Sequence, residues 1–277
     1  MNSQEIHLKI AILITCFNRK YVTLTCIKNI VASNQSNFSV DIYVVDGGST
    51  DGTVLAIMEK FPDVKVKIHQ GLYWNRGMIA AWKEAVNSGI DYEAFLLLND
   101  DVHLNEHSIS ELVKIIAVRN GARIAVGFTV TPTTGEISYG GLKRRAGLSR
   151  IRFERSSNNY DEIVTMNGNC VLIPRVVYEN LGMLSSRYQH SFGDIDYGLR
   201  ATRAGINIVL TSNPVAIMEF NETPYSNSQK LGIGAVFSLM KDPKGLPINE
   251  WFFFCFKHAG IFWPINFFTR YLRITKL

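Results

Sequence analysis

The chain has 277 residues, 47% of them hydrophobic and 19% charged, enough for a large folded core and too apolar for a disordered protein. Its net charge of +5 is scattered except around Lys143, Arg144, Arg145, Arg150, Arg152 and Arg155. That cluster reads as a solvated loop or as a patch for phosphates or an anionic surface, and without an accompanying motif no nucleic-acid partner is expected. The four cysteines, Cys16, Cys26, Cys170 and Cys255, form no CxxC pair, so neither a zinc site nor a disulfide framework is expected and a cytoplasmic, reducing setting fits.

The first residues, MNSQEIHLK, hold no signal-peptide core, so the expectation is a chain that starts at Met1 and is not exported. Apolar runs at Ile10 to Ile14 and Val40 to Val45 flank a stretch with helical spacing, Val22 to Val31, which predicts strand, helix, strand. The turn Gly47-Gly48-Ser49-Thr50-Asp51-Gly52 then leads into a predicted helix over Thr53 to Phe61, ended by Pro62. A strand at Val64 to His69, a helix at Gly77 to Val86 and an apolar strand at Ala94 to Leu98 follow. Repeated βα units with short connections predict an α/β fold with a mostly parallel central sheet flanked by helices.

The chemistry is expected at the strand ends. Asn99, Asp100 and Asp101 follow directly on the Ala94 to Leu98 strand, and open α/β sheets bind ligands beyond the carboxyl ends of their strands. The first strand is followed by Thr15, Cys16, Phe17, Asn18 and Arg19, without the glycines of a dinucleotide fingerprint, which disfavours a dehydrogenase or an ordinary methyltransferase. Asp46 and the glycines after it allow close backbone approach to a ligand and an acceptor for a base or ribose donor. The same residues also suit a plain turn in which Ser49 or Thr50 caps the next helix.

Taken together, Ile12-Leu13-Ile14-Thr15-Cys16-Phe17-Asn18-Arg19, Val44-Val45-Asp46-Gly47-Gly48-Ser49-Thr50-Asp51-Gly52-Thr53 and Leu98-Asn99-Asp100-Asp101-Val102 resemble family 2 glycosyltransferases of the GT-A fold. So do Asn167-Gly168-Asn169-Cys170-Val171-Leu172-Ile173-Pro174 and Phe192-Gly193-Asp194-Ile195-Asp196-Tyr197-Gly198-Leu199-Arg200; the resemblance runs from about residue 8 to 220. The stretch Gly71-Leu72-Tyr73-Trp74-Asn75-Arg76-Gly77-Met78 is similar to bacterial polysaccharide and rhamnosyltransferase-like members.

The resemblance implies an inverting transfer of a sugar from a UDP- or dTDP-linked donor to a hydroxyl of a glycan or lipid-linked glycan, in cell-surface polysaccharide biosynthesis. It implies a catalytic domain over 1–222, with a donor half about 8–130 and an acceptor half about 131–222. By the same resemblance Thr15, Cys16, Phe17 and Asn18 line the nucleobase pocket, Asp46 accepts from the base, and Asn99 and Asp100 face the donor. Asp101 would ligate Mn²⁺ or Mg²⁺, hard cations suited to carboxylate and phosphate oxygens. Asp194 is the implied general base, with Asn167, Gly168, Asn169, Gly193 and Asp196 on the acceptor side, and helix capping is the alternative role for Asp194. Arg76 could pair with a donor phosphate and Trp74 could face a sugar or simply pack.

Two positions depart from the family pattern: Gly193 stands where an acid often precedes the base, and where many members carry a metal-binding His this chain has Glu219, which would be an oxygen ligand to the metal unless the ion has no third protein ligand. A sugar-nucleotide pyrophosphorylase and a non-catalytic nucleotide- or glycan-binding module remain alternatives. The segment 223–277, which from Trp251 reads WFFFCFKHAGIFWPINFFTRYLRITKL, is expected to be a helical extension. Its apolar runs are too short to span a bilayer, leaving packing or dimerisation, or contact with a membrane surface.

Overall fold

The computed structural model describes residues 7–33, 37–117, 122–156, 162–220 and 230–276. Strands β1 (Leu8–Cys16), β2 (Phe38–Asp46), β3 (Lys65–Ile68) and β4 (Ala94–Leu98) alternate with helices α1 (Lys20–Ala32), α2 (Thr53–Lys60) and α3 (Trp74–Asn87). Strand β5 (His103–Leu104), helix α4 (Ser108–Ile116) and strand β6 (Arg123–Val126) come next. Five short strands follow: β7 (Thr129–Val130), β8 (Ile137–Tyr139), β9 (Gly141–Arg144), β10 (Phe153–Arg155) and β11 (Thr165–Met166). Then come β12 (Cys170–Pro174), α5 (Arg175–Leu181), α6 (Gly193–Arg203), β13 (Asn207–Leu210) and β14 (Ala216–Ile217). Helices α7 (Ile233–Leu239), α8 (Ile248–His258) and α9 (Trp263–Ile274) complete the described chain.

The main sheet has the order β13-β6-β12-β4-β1-β2-β3, and β12 alone runs against its neighbours. The central strand β1 is buried on both faces, which is why its sequence reads as one apolar run rather than an alternation. Ile10, Ile12, Ile14 and Cys16 face a core shared with α1, α2 and α4. Ala11 and Leu13 face the opposite core, shared with α3, α5 and α6. Strands β2 and β3 lie on one side of β1 and β4 on the other, so the order reverses at β1, and the crevice outside such a switch point is where open α/β sheets take ligands.

A third core cluster joins the C-terminal helices to the rest: Trp251, Phe254, Cys255 and Tyr271 pack with Ile151, Tyr188 and Leu199. The expected helical extension is present as α7 to α9, while the expected boundary at 222/223 lies outside the described residues. Helix α3 starts at Trp74, three residues before the sequence-based expectation, because Tyr73 in extended backbone breaks the chain there. No helix among the described residues is long and apolar enough to cross a membrane. All four cysteines are free and buried.

Candidate active site

The ends of β1, β2 and β4 and the start of β12 bring four loops to one edge of the sheet. Thr15 and Cys16 pair with Val45 and Asp46, and Cys170 pairs with Leu98, so Thr15 to Arg19, Asp46 to Asp51, Asn99 to Asp101 and Asn167 to Asn169 converge. The amide of Asn99 donates to the carbonyl of Asn169 at 2.9 Å.

The first two loops hold each other. Asn18 adopts a left-handed backbone (φ 51°), which asparagine tolerates, and its Oδ1 accepts from the Thr50 amide at 2.8 Å. The Asn18 amide donates to Ser49 Oγ at 2.7 Å. Asp46 is fully buried; its Oδ1 accepts from the amides of Gly48 and Ser49, and its Oδ2 from Ser49 Oγ. Asp46 therefore shapes the glycine turn and is not presented to a base, a correction to the expectation. Cys16 is corrected likewise: it is 4% exposed, its thiol lies 3.5 Å from Asp46 Oδ2, and burial raises its pKa. Open positions of this wall include Phe17, 53% exposed and packed beside Gly47, the exposed Asn18 and Arg19, and the half-buried Thr15. Thr15 sits tight against Gly77 of α3, where a Cβ would meet its Oγ1 at 2.3 Å.

Asp100 and Asp101 share one cation. Arg19 Nη1 donates to Asp100 Oδ1 and to Asp101 Oδ2, each at 2.9 Å, and Thr23 Oγ1 donates to Asp100 Oδ2 at 3.1 Å. Burial raises the pKa of Asp100, Arg19 opposes that, and Asp101 adds to it. Asp101 Oδ1 is buried without a hydrogen-bond partner, an acceptor free for a hard cation. Among the described residues no three His, Cys, Asp or Glu converge as a metal cage, so any ion here would draw most of its ligands from phosphate and water. Glu219 is exposed just beyond β14, whose antiparallel register with β5 (Ala216 with Leu104, Ile217 with His103) runs towards Asp101.

Across the crevice, Asp194 lies in the first turn of α6. Its Oδ2 accepts from the Gly168 amide at 2.9 Å and its Oδ1 from the Ile195 amide at 2.8 Å. Burial raises its pKa, with these amides pulling the other way, so it is a stronger base than an ordinary aspartate. Trp74 joins the two walls: its Nε1 donates to Asn99 Oδ1 at 2.6 Å and its ring lies where a Cβ on Gly168 would be, beside Asp194. Arg76 is exposed, its amide donates to Gln189, and its charge acts on Glu250. Asn167 is half-buried, whereas Asn169 is buried with its amide nitrogen 3.6 Å from Met218 Sδ.

Asp196 is not on the acceptor face. It is fully buried, with Oδ1 accepting from Lys257 Nζ (2.6 Å) and His258 Nε2 (2.8 Å) and Oδ2 from Arg200 Nε (2.9 Å). Burial works against its charge, but His258, Lys257 and Arg200 outweigh that and hold its pKa down at about 2. Burial lowers the pKa of His258, so a neutral imidazole donates its Nε2 proton to the carboxylate. Phe192, which precedes α6, has φ 70°, stacks on Phe254 and packs its ring, tilted, against Trp251.

The sequence model described as "Glycosyltransferase like family 2" matches residues 7–231. The chain belongs to that family. One relative, the N-acetylglucosaminyl-diphospho-decaprenol L-rhamnosyltransferase of Mycobacterium tuberculosis, is 24% identical over 60% of this chain and 62% of its own length. The chain thus spans less than two thirds of that relative. Among solved structures, S. aureus TarS 1-349 in complex with UDP-GlcNAc aligns over 97% of this chain and 74% of its own, with a TM-score of 0.60 and 11% identity. The mannosyltransferase PcManGT from Pyrobaculum calidifontis, in complex with GDP-Man and Mn²⁺, aligns over 96% of this chain and 70% of its own, with a TM-score of 0.57 and 15% identity. These neighbours share the GT-A fold.

Sequence reasoning passed over five residues in and around this family 2 site. Arg19 was legible only as part of a loop, and Phe192 carried no signal. Asn75 explains Gly193: a Cβ on Gly193 would lie 1.7 Å from Asn75 Oδ1, so asparagine fills the space that a side chain at this position would need. Lys257 and His258 lie too far along the chain for any motif to connect them to α6.

Proposed function

We propose that this protein transfers a sugar from a UDP- or dTDP-linked donor to a hydroxyl of a glycan or lipid-linked glycan, with inversion, at the cytoplasmic face of a membrane and in cell-surface polysaccharide biosynthesis. The observation that carries the reading is the pairing across one crevice of the Asp100/Asp101 edge with Asp194, bridged by Trp74. The lipid-linked acceptor rests on the name of the mycobacterial relative, and the divalent ion on the Mn²⁺ of PcManGT and the unpartnered Asp101 oxygen.

In this reading Phe17 and Thr15 receive the base, Arg19 and Asp100 hold the approach to the ribose and diphosphate, and Trp74 faces the sugar. Asp101 would hold Mn²⁺ or Mg²⁺, which when bound neutralises charge developing on the departing diphosphate. Asp194 takes the acceptor proton as the acceptor oxygen bonds to the anomeric carbon and the carbon–oxygen bond to the diphosphate breaks. The Gly168 and Ile195 amides hold that carboxylate in place. A pyrophosphorylase is less well supported, since the Thr15 to Arg19 loop offers neither the glycines nor the several arginines needed to wrap a triphosphate.

A thermal-shift panel of UDP, dTDP, GDP and CMP with Mn²⁺, Mg²⁺ or EDTA tests the donor site. Stabilisation by UDP or dTDP that vanishes with EDTA is expected. Stabilisation by none of the four, or equal stabilisation with EDTA, overturns the reading.

A further inference from the structure

The two basic stretches and the aromatic tail meet on one face. The β9–β10 hairpin packs against the C-terminal helices: Ser149 Oγ donates to Asn266 Oδ1 of α9, and Arg150 lies against Gly260 between α8 and α9. Ile151 and Phe153 of the same hairpin enter the C-terminal core. The hairpin tip presents Leu148, 84% exposed, between Arg145 and Arg152, which are themselves exposed.

Next to it the helices expose two apolar stripes. Ile248, Phe252 and Phe256 recur every fourth residue of α8, and Ile265, Phe268 and Leu272 at three- and four-residue spacing on α9; all six are exposed. Phe256 is 60% exposed, Phe268 62% and Ile261, between the helices, 82%. Ring contacts make the patch continuous: Phe252 touches Phe256, Trp263 and Phe267, and Phe267 touches Phe268. An apolar surface of this kind marks a site of association.

Charge decides what the patch meets. Residues 143–155 and 230–276 together hold 13 of the chain's 29 Lys and Arg but only 3 of its 24 Asp and Glu, so the rest of the molecule is net acidic. A second copy would bring this basic face against itself, which is repulsive. A bilayer with anionic headgroups offers both a negative surface and an apolar boundary for aromatic side chains. From this juxtaposition we infer that the β9–β10 hairpin and helices α8 and α9 form a docking surface for an anionic membrane, which the protein enters from one side without crossing.

This inference rests on the proposed reading only in supplying a reason for it: the inner face of α8 holds α6 through Asp196, so the docked face and the base belong to one packed unit. The test is flotation of the full chain with vesicles of phosphatidylcholine containing about one third phosphatidylglycerol, against pure phosphatidylcholine. The wild type is expected to float with the first and not with the second, and to be released by high salt. Phe256→Ser with Phe268→Ser, and separately Arg145→Glu with Arg152→Glu, change only exposed side chains and are each expected to lower the floated fraction at least several-fold. Protein that stays at the bottom with anionic vesicles overturns the inference. So does a wild type that is a dimer in solution and becomes monomeric in the phenylalanine variant, which would assign the patch to a second copy. UDP or dTDP binding with Mn²⁺ by the same variants is expected to be unchanged; donor binding intact without flotation removes the membrane surface and leaves the transferase reading standing.

Discussion

The two walls of the crevice are built in different ways. The Asp100/Asp101 wall is tied by polar contacts between neighbouring strand ends in the first part of the chain: Asn18 with Thr50, Asp46 with its own turn, Arg19 with Asp100 and Asp101. The Asp194 wall is held from the C-terminal helices. Asp196, two residues from Asp194, is fixed by Lys257 and His258, 61 and 62 residues farther along the chain, and Phe192 by Trp251 and Phe254. The contrast teaches that one wall is complete within the βα units that begin the chain, while the helix that carries Asp194 is clamped by a segment that comes after it.

The largest expected effect falls on Asp194, the proposed base. Asp194→Asn keeps the shape and the Gly168 contact but cannot take a proton, so transfer should fall by roughly 10²–10⁴-fold while donor binding is retained. An active variant would move the base elsewhere and dissolve the contrast. The clamp on α6 comes next: Asp196→Asn leaves the half-buried Lys257 and Arg200 beside a neutral group in place of a fully buried carboxylate and should cost about 3–5 kcal/mol in a denaturant titration. A pH series sharpens this. Because the folded-state pKa of Asp196 is lowered, its stabilisation is fully present above the unfolded value of about 3.9 and is lost as pH falls through about 2, and the variant should lack that acid-side loss.

Gly193→Ala probes the junction of the walls. Its methyl group would collide with Asn75 Oδ1, and a loss of about 1–3 kcal/mol is expected, with partial recovery when Asn75→Gly is added. Additive losses in that cycle would deny the steric account. On the donor side, Asp101→Asn should abolish the difference between Mn²⁺ and EDTA in donor-induced thermal stabilisation with little change in the fold. The smallest effect is expected from Glu219→Ala, a few-fold rise in the Mn²⁺ concentration needed, since the exposed Glu219 is at most one oxygen in a shell otherwise filled by phosphate and water.

The same contrast explains what could be read in advance. Strands β1, β2 and β4 are evident as apolar runs because each is buried on both faces, and Asp100 and Asp101 stand out because acids directly after such a run have few structural reasons to be there. Strand β6 is only four residues long and helix α4 only nine, and neither carries a turn motif that would announce it. Asp46 and Asp196 look like site residues because their type and position match, but whether a carboxylate faces a ligand or its own loop is decided by contacts the sequence does not print. For Asp46 those contacts are two and three residues away and could be guessed from the Ser49 of the turn; for Asp196 they lie beyond any local pattern.

Phe192 carries one more consequence, in time rather than in space. A left-handed backbone at a residue with a side chain costs on the order of 1–2 kcal/mol and persists only where its surroundings insist on it. Here the surroundings are the rings of Trp251 and Phe254, which leave the ribosome long after Phe192 does. As the chain emerges, the Asp100/Asp101 wall can assemble from residues that all precede Val102, whereas helix α6 lacks its contacts with Trp251, Phe254, Lys257 and His258 until α8 arrives. Nascent chains of this protein would thus carry the Asp100/Asp101 edge in place before the segment that clamps the opposite wall has been made.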